Sequence, residues 1–370
     1  MSIRSYTTFD DIDRRIVVAL QRDGRASWRA IADAVGASTA TVARRGQQLI
    51  SSGLVKVAIV PTLGSNGPVD SFLIRINCEP GTQLQVAAEL TTHENTRFVS
   101  LVTGGYDIMA ELVVNGGATQ YPHLIEELQS ISGVARWRSD FIMHVYKVSL
   151  DWGRQLFADT INPSEGESSA SESSSADASS STASSSSSYS STGEPHICDP
   201  SHFDPADRAI VDALREDGRV TFQSVADTLG MNESSVRRRF ERLRSTGCVD
   251  SLTLVPAPAM GMGAETLLTI TVDPRCLEDV AAKLARHPSV RYLSAILDDS
   301  ALFCEVILPS TADLYPFITS TLSRLEGVQG WNASMELLYL KRGFVETPWW
   351  RTDIQPRVSD APESYSQPFS

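Results

Sequence analysis

The chain contains one unit twice, and this internal repeat constrains the fold more than any other feature of the sequence. An offset of 194 residues, the separation between Phe9 and Phe203, brings many identical residues into register. The period is far longer than the roughly 20–50 residues of a solenoid repeat, so it predicts a tandem duplication of a multidomain unit. The matches run from Asp23-Gly24-Arg25 with Asp217-Gly218-Arg219 near the start of each unit to Trp137 and Lys147 with Trp331 and Lys341 near its end.

Length and composition agree with a chain of several folded domains. The 370 residues predict two to three domains, and 42% hydrophobic residues are enough for real cores. The five cysteines are scattered, which favours a reducing, cytoplasmic location and argues against a structural zinc site. No apolar leader and no long apolar run is present in the sequence, so we expect neither secretion nor a membrane span. A net charge of −13 argues against a general nucleic-acid coat, but groove binding needs only a locally basic helix.

The stretch that follows Ser38 has the pattern of the second helix of a helix-turn-helix. Ser38 stands at an N-cap position, and Val42 and Leu49 share one face, opposite a face of small, polar and arginine side chains. A shorter helical pattern, Ser27–Val35, precedes it, and Gly36 stands where a tight turn needs a positive φ. This arrangement predicts a recognition helix for the DNA major groove. A helical hairpin with a solvated arginine face fits the same stretch.

The duplication favours the DNA-binding interpretation, because both copies keep the arrangement. Gly46 faces the core where the second copy has Phe240, so we expect the first recognition helix to be under-packed. Arg44 and its counterpart Arg238 point outward as candidates for base contact, whereas we expect Arg45 and Arg239 to contact phosphate or intramolecular acids. The predicted DNA-binding residues are Ser38, Thr39, Ala40, Thr41, Ala43, Arg44, Arg45, Gln47, Asn232, Ser234, Ser235, Arg237, Arg238, Arg239 and Arg242.

A second module follows each helix-turn-helix. In the first copy, strand and helix patterns alternate in the order β-α-β-β-α-β over Phe72–Ile76, Thr82–Leu90, Arg97–Val102, Ile108–Val114, Tyr121–Ile131 and Trp137–Val148. That order is typical of a ferredoxin-like sandwich. The predicted fold class is therefore α+β, with two copies of a winged-type helix-turn-helix domain and a ferredoxin-like βαββαβ sandwich.

Composition separates the two units. A stretch that is almost all Ser cannot bury enough apolar surface to fold, so it predicts a disordered linker. The end of the chain is rich in Pro and Ser and predicts a flexible tail, in which Trp349 and Trp350 are able to dock. The predicted boundaries are 1–62 and 200–257 for the DNA-binding domains, 68–152 and 264–345 for the effector and assembly domains, 160–197 for the linker and 346–370 for the tail.

This arrangement resembles the Lrp/AsnC (feast/famine) family of transcriptional regulators. The resemblance covers both units and is carried in the first by Ile12-Asp13-Arg14, Asp23-Gly24-Arg25, Ser38 through Gly53, and Thr103 through Asp107. It implies dimers whose sheets pack face to face, higher homo-oligomers such as rings, and small effectors, often amino acids. Family members normally carry one unit per chain, so two units imply an intrachain pseudo-dimer. The implied partners are double-stranded DNA and an amino-acid-like effector.

The resemblance implies an effector site at the turn formed by Gly104, Gly105, Tyr106 and Asp107. Paired glycines let a ligand approach the backbone closely, and Asp107 offers a carboxylate to an ammonium group. Both features are absent from the second copy, which reads Asp298 through Ala301, so we expect the pocket in the first sandwich. The alternative is an ordinary hairpin turn.

Two other functions remain open at this point. Some haem-pathway decarboxylases share this fold, and such an enzyme would need convergent His and Arg residues in the sandwiches. The sequence contains no H-E-x-x-H, G-x-S-x-G or nucleotide-binding loop, so we expect no catalytic residues, no metal and no cofactor, and no enzyme. An architectural DNA-bridging protein without an effector is the third class, and ligand titration separates it from a regulator.

Overall fold

The computed structural model describes residues 8–63, 69–157, 203–299 and 301–356. The helices of the first unit are α1 (Asp11–Arg22), α2 (Trp28–Val35), α3 (Thr39–Ser51), α4 (Gln83–Thr92), α5 (Tyr121–Ser130) and α6 (Trp152–Leu156). Its strands are β1 (Lys56–Pro61), β2 (Val69–Cys78), β3 (Thr96–Val102), β4 (Ile108–Asn115) and β5 (Val134–Val148). The predicted elements of this unit are therefore present, with ends that differ from the predicted ones by a few residues.

The second unit repeats this order. Its helices are α7 (Pro205–Glu216), α8 (Phe222–Leu229), α9 (Glu233–Ser245) and α10 (Leu277–Arg286), and an irregular helical segment occupies residues 314–324. Its strands are β6 (Val249–Leu254), β7 (Ala264–Val272), β8 (Val290–Leu297), β9 (Leu302–Leu308), β10 (Val328–Arg342) and β11 (Val345–Glu346). The fold is α+β, as expected.

Local chemistry explains where the DNA-binding helices begin and end. The Ser27 hydroxyl accepts from the Ala30 N–H at the start of α2, and the Ser38 hydroxyl accepts from the Thr41 N–H at the start of α3. Between these helices Gly36 has a φ of 74°, which a residue with a Cβ rarely adopts. Gly230 takes the same conformation in the second copy, so the predicted glycine turn is confirmed in both units.

The eight long strands that follow the DNA-binding domains close into one barrel. Each unit contributes four antiparallel strands, in the orders β3-β4-β2-β5 and β8-β9-β7-β10. The two sets pair with each other at both edges, β5 with β8 and β10 with β3. The inside of the barrel is a core shared by the two units, with Leu73 and Ile142 from the first and Leu267 and Phe303 from the second.

The strand after each DNA-binding domain pairs with the corresponding strand of the other unit. β1 and β6 form an antiparallel two-stranded ribbon, from Lys56 opposite Leu254 to Pro61 opposite Val249. Because a wing is a hairpin within one domain, the winged-type prediction does not describe this ribbon, which needs both units. Ala58 and Leu252 on the ribbon pack into the same core as the barrel strands.

The predicted tail boundary needs correction. Val345–Glu346 is a strand, and Trp349 and Trp350 are 5% and 0% exposed. Trp349 belongs to the core inside the barrel. Trp350 belongs to the core between the strands and helices of the first unit, so the two aromatic rings hold this segment against the barrel. The predicted linker, 160–197, and the end of the predicted tail lie outside the described residues.

Two further expectations concern thiols and membranes. Cys78, Cys276 and Cys304 are free, whereas Cys248 is disulfide-bonded, which departs from the reduced cysteines expected of a reducing compartment. Within the part of the chain that the structure describes, no helix has the length and apolarity needed to span a bilayer.

Candidate DNA interface and effector site

The recognition helices α3 and α9 present one arginine each at an equivalent, exposed position. Arg44 lies on the outer face of α3 and Arg238 on that of α9, and neither has a carboxylate partner among the described residues. Thr39, Ala40 and Gln47 are exposed beside Arg44, and Ser234 is exposed near Arg238. These side chains are available to a nucleic acid without first breaking an ion pair.

The arginine that follows each exposed one is held inside its own domain. Arg45 Nη1 lies 2.6 Å from an Asp10 carboxylate oxygen and 3.0 Å from one of Asp13. Arg239 makes the same contacts with Asp204 and Asp207, at 2.6 and 2.9 Å. Because both carboxylates lie at the start of the first helix, each arginine ties a recognition helix to that helix. Both arginines therefore contact intramolecular acids, which is one of the two alternatives expected for them.

The remaining predicted residues divide between capping and ion pairing. Ser38 caps α3 and also contacts the Thr41 hydroxyl at 2.9 Å, whereas Asn232 precedes α9 without a side-chain capping bond. Arg237 pairs with Glu233 one turn earlier, and Arg242 lies 2.5 Å from Asp207. Ala43 and Ser235 are half-buried. DNA contact by these residues stays a prediction.

The expectation of an under-packed first recognition helix is wrong. A Cβ added to Gly46 would lie 2.3 Å from the Trp28 ring, so the indole of α2 already fills this space. In the second unit Phe222 stands in place of Trp28, and its ring packs against Phe240 with centroids 5.3 Å apart. The two copies therefore fill the same volume with one large ring and a glycine, or with two medium rings.

The two helix-turn-helix domains contact each other through a reciprocal pair of arginines. Arg25 donates to the carbonyls of Gly218 and Val220, at 2.5 and 3.0 Å, and its guanidinium lies 4.2 Å from the Phe222 ring centroid. Arg219 donates in the same way to Gly24 and Ala26 and lies 4.2 Å from the Trp28 ring centroid. The arginine of the repeated Asp-Gly-Arg motif therefore connects each helix-turn-helix domain to the other.

The predicted effector turn packs against the second unit. Gly104 has a φ of 99°, and a Cβ there would lie 3.2 Å from the Ser334 hydroxyl on β10. Gly105 has no atom within 4 Å of such a Cβ and so leaves open space. The Asp107 carboxylate accepts from the backbone N–H of Cys78 at 2.8 Å, and the half-buried Tyr106 packs against the core inside the barrel. The turn thus has one structural carboxylate contact and one open glycine.

The equivalent turn of the second unit carries an ion-pair network that the sequence did not reveal. Asp298 lies at the position of Gly104, and its carboxylate contacts Arg75 at 2.9 Å and also contacts Arg138. Both arginines contact Asp140 as well, at 2.7 and 2.9 Å. The side chains of Arg75, Asp140 and Asp298 are 4%, 2% and 6% exposed, whereas Arg138 is 44% exposed and forms the solvent side of the network. Its members come from both units.

A second set of buried charges lies inside the barrel, at a cavity of about 70 Å³. Arg97 contacts Glu111, and the equivalent Arg291 contacts Glu305, which also accepts from Arg342 at 2.8 Å. Although burial acts to raise it, Arg291 and Arg342 hold the pKa of Glu305 well below its usual range. These residues were not predicted as a site, because strand periodicity does not show which face of the strands lies inside a barrel.

The carboxylates of Glu265, Glu305 and Glu336 lie close enough to share a metal ion. The guanidinium of Arg291 contacts Glu265 at 2.8 Å and also contacts Glu305, so this charge is already compensated in part. Burial raises the pKa of Glu336 well above its usual range. Arg342 also lies 2.8 Å from Glu305 and 3.5 Å from Glu336, so guanidiniums already provide the positive charge beside these carboxylates and the group does not fit a metal site well.

The described histidines of the barrel domains do not converge. His123 is exposed on α5 beside Glu126, and His144 packs on Tyr146 with ring centroids 4.5 Å apart. His93 and His287 end helices α4 and α10. The arginines near the cavity do converge, but each faces a glutamate.

Family models match both units of the chain. The AsnC-type helix-turn-helix domain matches residues 9–50 and 203–244, and the Lrp/AsnC ligand binding domain matches residues 71–151 and 265–344. An uncharacterized HTH-type transcriptional regulator of Pyrococcus horikoshii is 28% identical over 143 residues, which are 38% of this chain and 90% of that protein. The HTH-type transcriptional regulator LrpA of Pyrococcus abyssi is 29% identical over 126 residues, 34% of this chain and 89% of the relative.

Solved structures of a siroheme decarboxylase align with nearly the whole chain. The siroheme decarboxylase NirDL superposes with a TM-score of 0.55 over 95% of this chain and all of its own, at 12% identity. At that identity the likeness concerns the fold alone. Both units of this chain are covered by the superposition. The relatives matched by sequence are named as transcriptional regulators. With two AsnC-type helix-turn-helix domains and two Lrp/AsnC ligand binding domains in tandem, the chain belongs to the Lrp/AsnC family of transcriptional regulators.

Proposed function

We propose that this chain regulates transcription by reading duplex DNA with both recognition helices at once, so that one polypeptide does the work of a family dimer. The observation that carries the proposal is the exposed, uncompensated arginine at the same position of each helix, Arg44 and Arg238. The contacts of Arg25 and Arg219 and the β1–β6 ribbon support a fixed pair of reading domains. Outward arginines on such a pair suit base edges or phosphates in adjacent major grooves.

We further propose that an amino acid or similar small molecule binds beside Gly104, Gly105, Tyr106 and Asp107. One Asp107 oxygen accepts from Cys78, and we assign the other to the ammonium group of the ligand. The open space at Gly105 supports close approach of the ligand to the backbone. The strand order β3-β4-β2-β5 is consistent with a ferredoxin-like sandwich as the scaffold of this site.

The decarboxylase alternative is weaker for a physical reason. The cavity of about 70 Å³ inside the barrel is well below the roughly 300–1,000 Å³ of most ligand pockets. The arginines around it face glutamates rather than an empty space, as Arg97 faces Glu111. A tetrapyrrole carries several carboxylates, which would have to displace these glutamates.

The DNA-binding proposal is tested with the double variant Arg44→Ala/Arg238→Ala of the full chain. We first select bound sequences from random DNA and then measure the affinity of the selected duplex by fluorescence anisotropy at fixed salt. Each single change should cost about 1–3 kcal/mol where the arginine meets a base edge, and the double variant should lose the preference for the selected sequence.

Arg286→Ala is the matched control, because Arg286 is an exposed arginine on α10, in the barrel domain. It should bind the selected duplex like the wild type. A double variant that binds as tightly and as selectively as Arg286→Ala would contradict the assignment of both recognition helices.

A further inference from the structure

The two units carry opposite chemistry at equivalent positions of the barrel. Arg75 and Arg138 lie opposite each other on β2 and β5, and the offset of 194 residues puts Thr269 and Asn332 at the same places on β7 and β10. The turn that approaches the first pair carries Asp298. The equivalent turn of the first unit carries Gly104, which brings no side chain and lies beside Ser334, two residues from Asn332 on β10. At these equivalent positions the three charged residues Arg75, Arg138 and Asp298 therefore correspond to three uncharged residues.

The geometry around Asp298 is that of a bound carboxylate. Its two oxygens contact different arginines, Arg75 through Oδ2 at 2.9 Å and Arg138 through Oδ1. Arg75 is only 4% exposed, and its Nη2 is buried without a hydrogen-bond partner. A guanidinium in such surroundings requires an anion, because an uncompensated buried charge is strongly destabilising. Asp140 supplies one carboxylate from the same unit, and Asp298 supplies the second from the other unit.

We propose that Arg75 and Arg138 form a carboxylate-binding site that the chain fills with its own Asp298. The ligand class of this site is a small monocarboxylate, held by charge-assisted hydrogen bonds from two guanidiniums. The site next to the turn of the second unit is therefore already occupied by the Asp298 carboxylate. The turn of the first unit is the one left for an external molecule, a clause that rests on the proposed effector function.

The position of Tyr106 connects the two turns. Its ring centroid lies 5.9 Å from the Arg75 guanidinium carbon, so the effector turn of the first unit borders the site that Asp298 fills. The strands β3 and β8 that lead into the two turns run parallel in the closed barrel, because four antiparallel pairings separate them. Both turns consequently lie at the same end of the barrel.

The experiment is chemical rescue of Asp298→Gly, which gives the second turn the residue of the first. Removing the side chain leaves Arg75 and Arg138 with one carboxylate, so we expect the melting temperature of the full chain to fall by about 5 °C or more. Sodium acetate should restore it in a saturable manner, and sodium chloride at equal ionic strength should not. Acetate should have no such effect on the wild type, because Asp298 occupies the site.

Asp299→Gly is the matched control, since it removes an exposed carboxylate from the same turn. It should melt like the wild type and should not respond to acetate. Adding Arg138→Ala to Asp298→Gly should abolish the rescue, because half of the site is then missing. If Asp298→Gly does not fold in chloride, its yield of refolded protein in acetate against chloride replaces the melting temperature.

Two results would overturn the proposal. One is an Asp298→Gly chain as stable as the Asp299→Gly chain, and the other is a destabilised chain that acetate helps no more than chloride. Neither readout involves DNA or an effector, so a failure of the regulatory proposal leaves this test intact. Conversely, failed rescue leaves the DNA-binding test unaffected.

Discussion

At the scale of single residues, exchanged volumes and charges distinguish the two copies. The first copy packs the large Trp28 ring against Gly46, and the second packs Phe222 against Phe240 in the same place. The larger ring is thus paired with the smaller neighbour, and the space between the two helices is filled in both copies. The same logic applies to Gly104, whose missing side chain lets Ser334 approach closely. Gly46 and Gly104 therefore each mark a place that a neighbouring side chain fills.

Asp107 carries the residue-scale prediction. Asp107→Asn keeps an oxygen for the Cys78 N–H but loses the charge, so we expect amino-acid binding to weaken about tenfold or more with little change in melting temperature. Asp107→Ala should lose both, because the Cys78 N–H then has no acceptor. Isothermal titration calorimetry against a panel of amino acids measures the affinity, and thermal melting measures the stability.

Equal heats of binding for the wild type and Asp107→Asn would show that the carboxylate only stabilises the turn. If no amino acid binds the wild type at all, the architectural alternative gains support over an effector-responsive regulator.

At the scale of elements, one lysine on β5 and one on β10 each connect their strand to the end of a helix in the other unit. Lys341 on β10 donates to the carbonyls of Thr91 and His93 at the end of α4, both at 2.9 Å. Its counterpart Lys147 on β5 donates to the His287 carbonyl at the end of α10 at 3.0 Å. An ammonium group at a helix C-terminus satisfies carbonyls that lack a helical partner and opposes the helix dipole.

These lysines give a pH prediction. Burial lowers the pKa of Lys147 and Lys341 to about 8, below the roughly 10.4 of an unfolded chain. Between these values the unfolded chain binds more protons, so the lysine contribution to the free energy of unfolding rises with pH. Urea unfolding at several pH values from 7.5 to 9.5, about the lower half of that window, should show a smaller upward slope in Lys147→Met/Lys341→Met than in the wild type.

The comparison with the variant is essential, because buried thiols act in the opposite direction. Burial raises the pKa of Cys78 to about 12 and also raises the pKa of Cys304. The contribution of these thiols to the free energy of unfolding therefore falls as pH rises. Identical slopes in the wild type and the lysine variant would contradict the role assigned to Lys147 and Lys341.

The sequence predicts individual elements better than the pairings between units. An N-cap such as Ser38 and a periodic apolar face such as that of Val42 and Leu49 are local signals. They predict a helix at this place, and α3 is that helix. The partner of β1 is nearly 200 residues away along the chain, and no local pattern selects β6 over a hairpin within one domain. The Asp298 network was missed for the same reason, because the repeat shows that Gly104 became Asp298 but not what faces it.

At the scale of the whole molecule, the closed barrel determines how a separated unit should behave. Removing the second unit exposes the pairing edges of β3 and β5 and the apolar inner face around Leu73 and Phe98. An isolated first unit, residues 1–157, should therefore dimerise or lose solubility. Analytical ultracentrifugation at several concentrations measures this. The full chain is the control, and we expect it to have no free barrel edge to offer.

A first unit that remains a soluble monomer at high concentration would contradict the pseudo-dimer. Inside the full chain the two units are covalently joined, so pairing between them is an intramolecular event. Pairing within the chain should then outcompete pairing between chains.

Joining the two units in one polypeptide changes how the protein can evolve. In a dimer of identical chains, one mutation appears at both equivalent places, and an aspartate at one turn forces an aspartate at the other. In this chain Asp298 and Gly104 coexist, and so do the differently charged helices α9 and α3. Each half can therefore change its surface independently of the other, whereas the strands that form the shared barrel must remain compatible with each other.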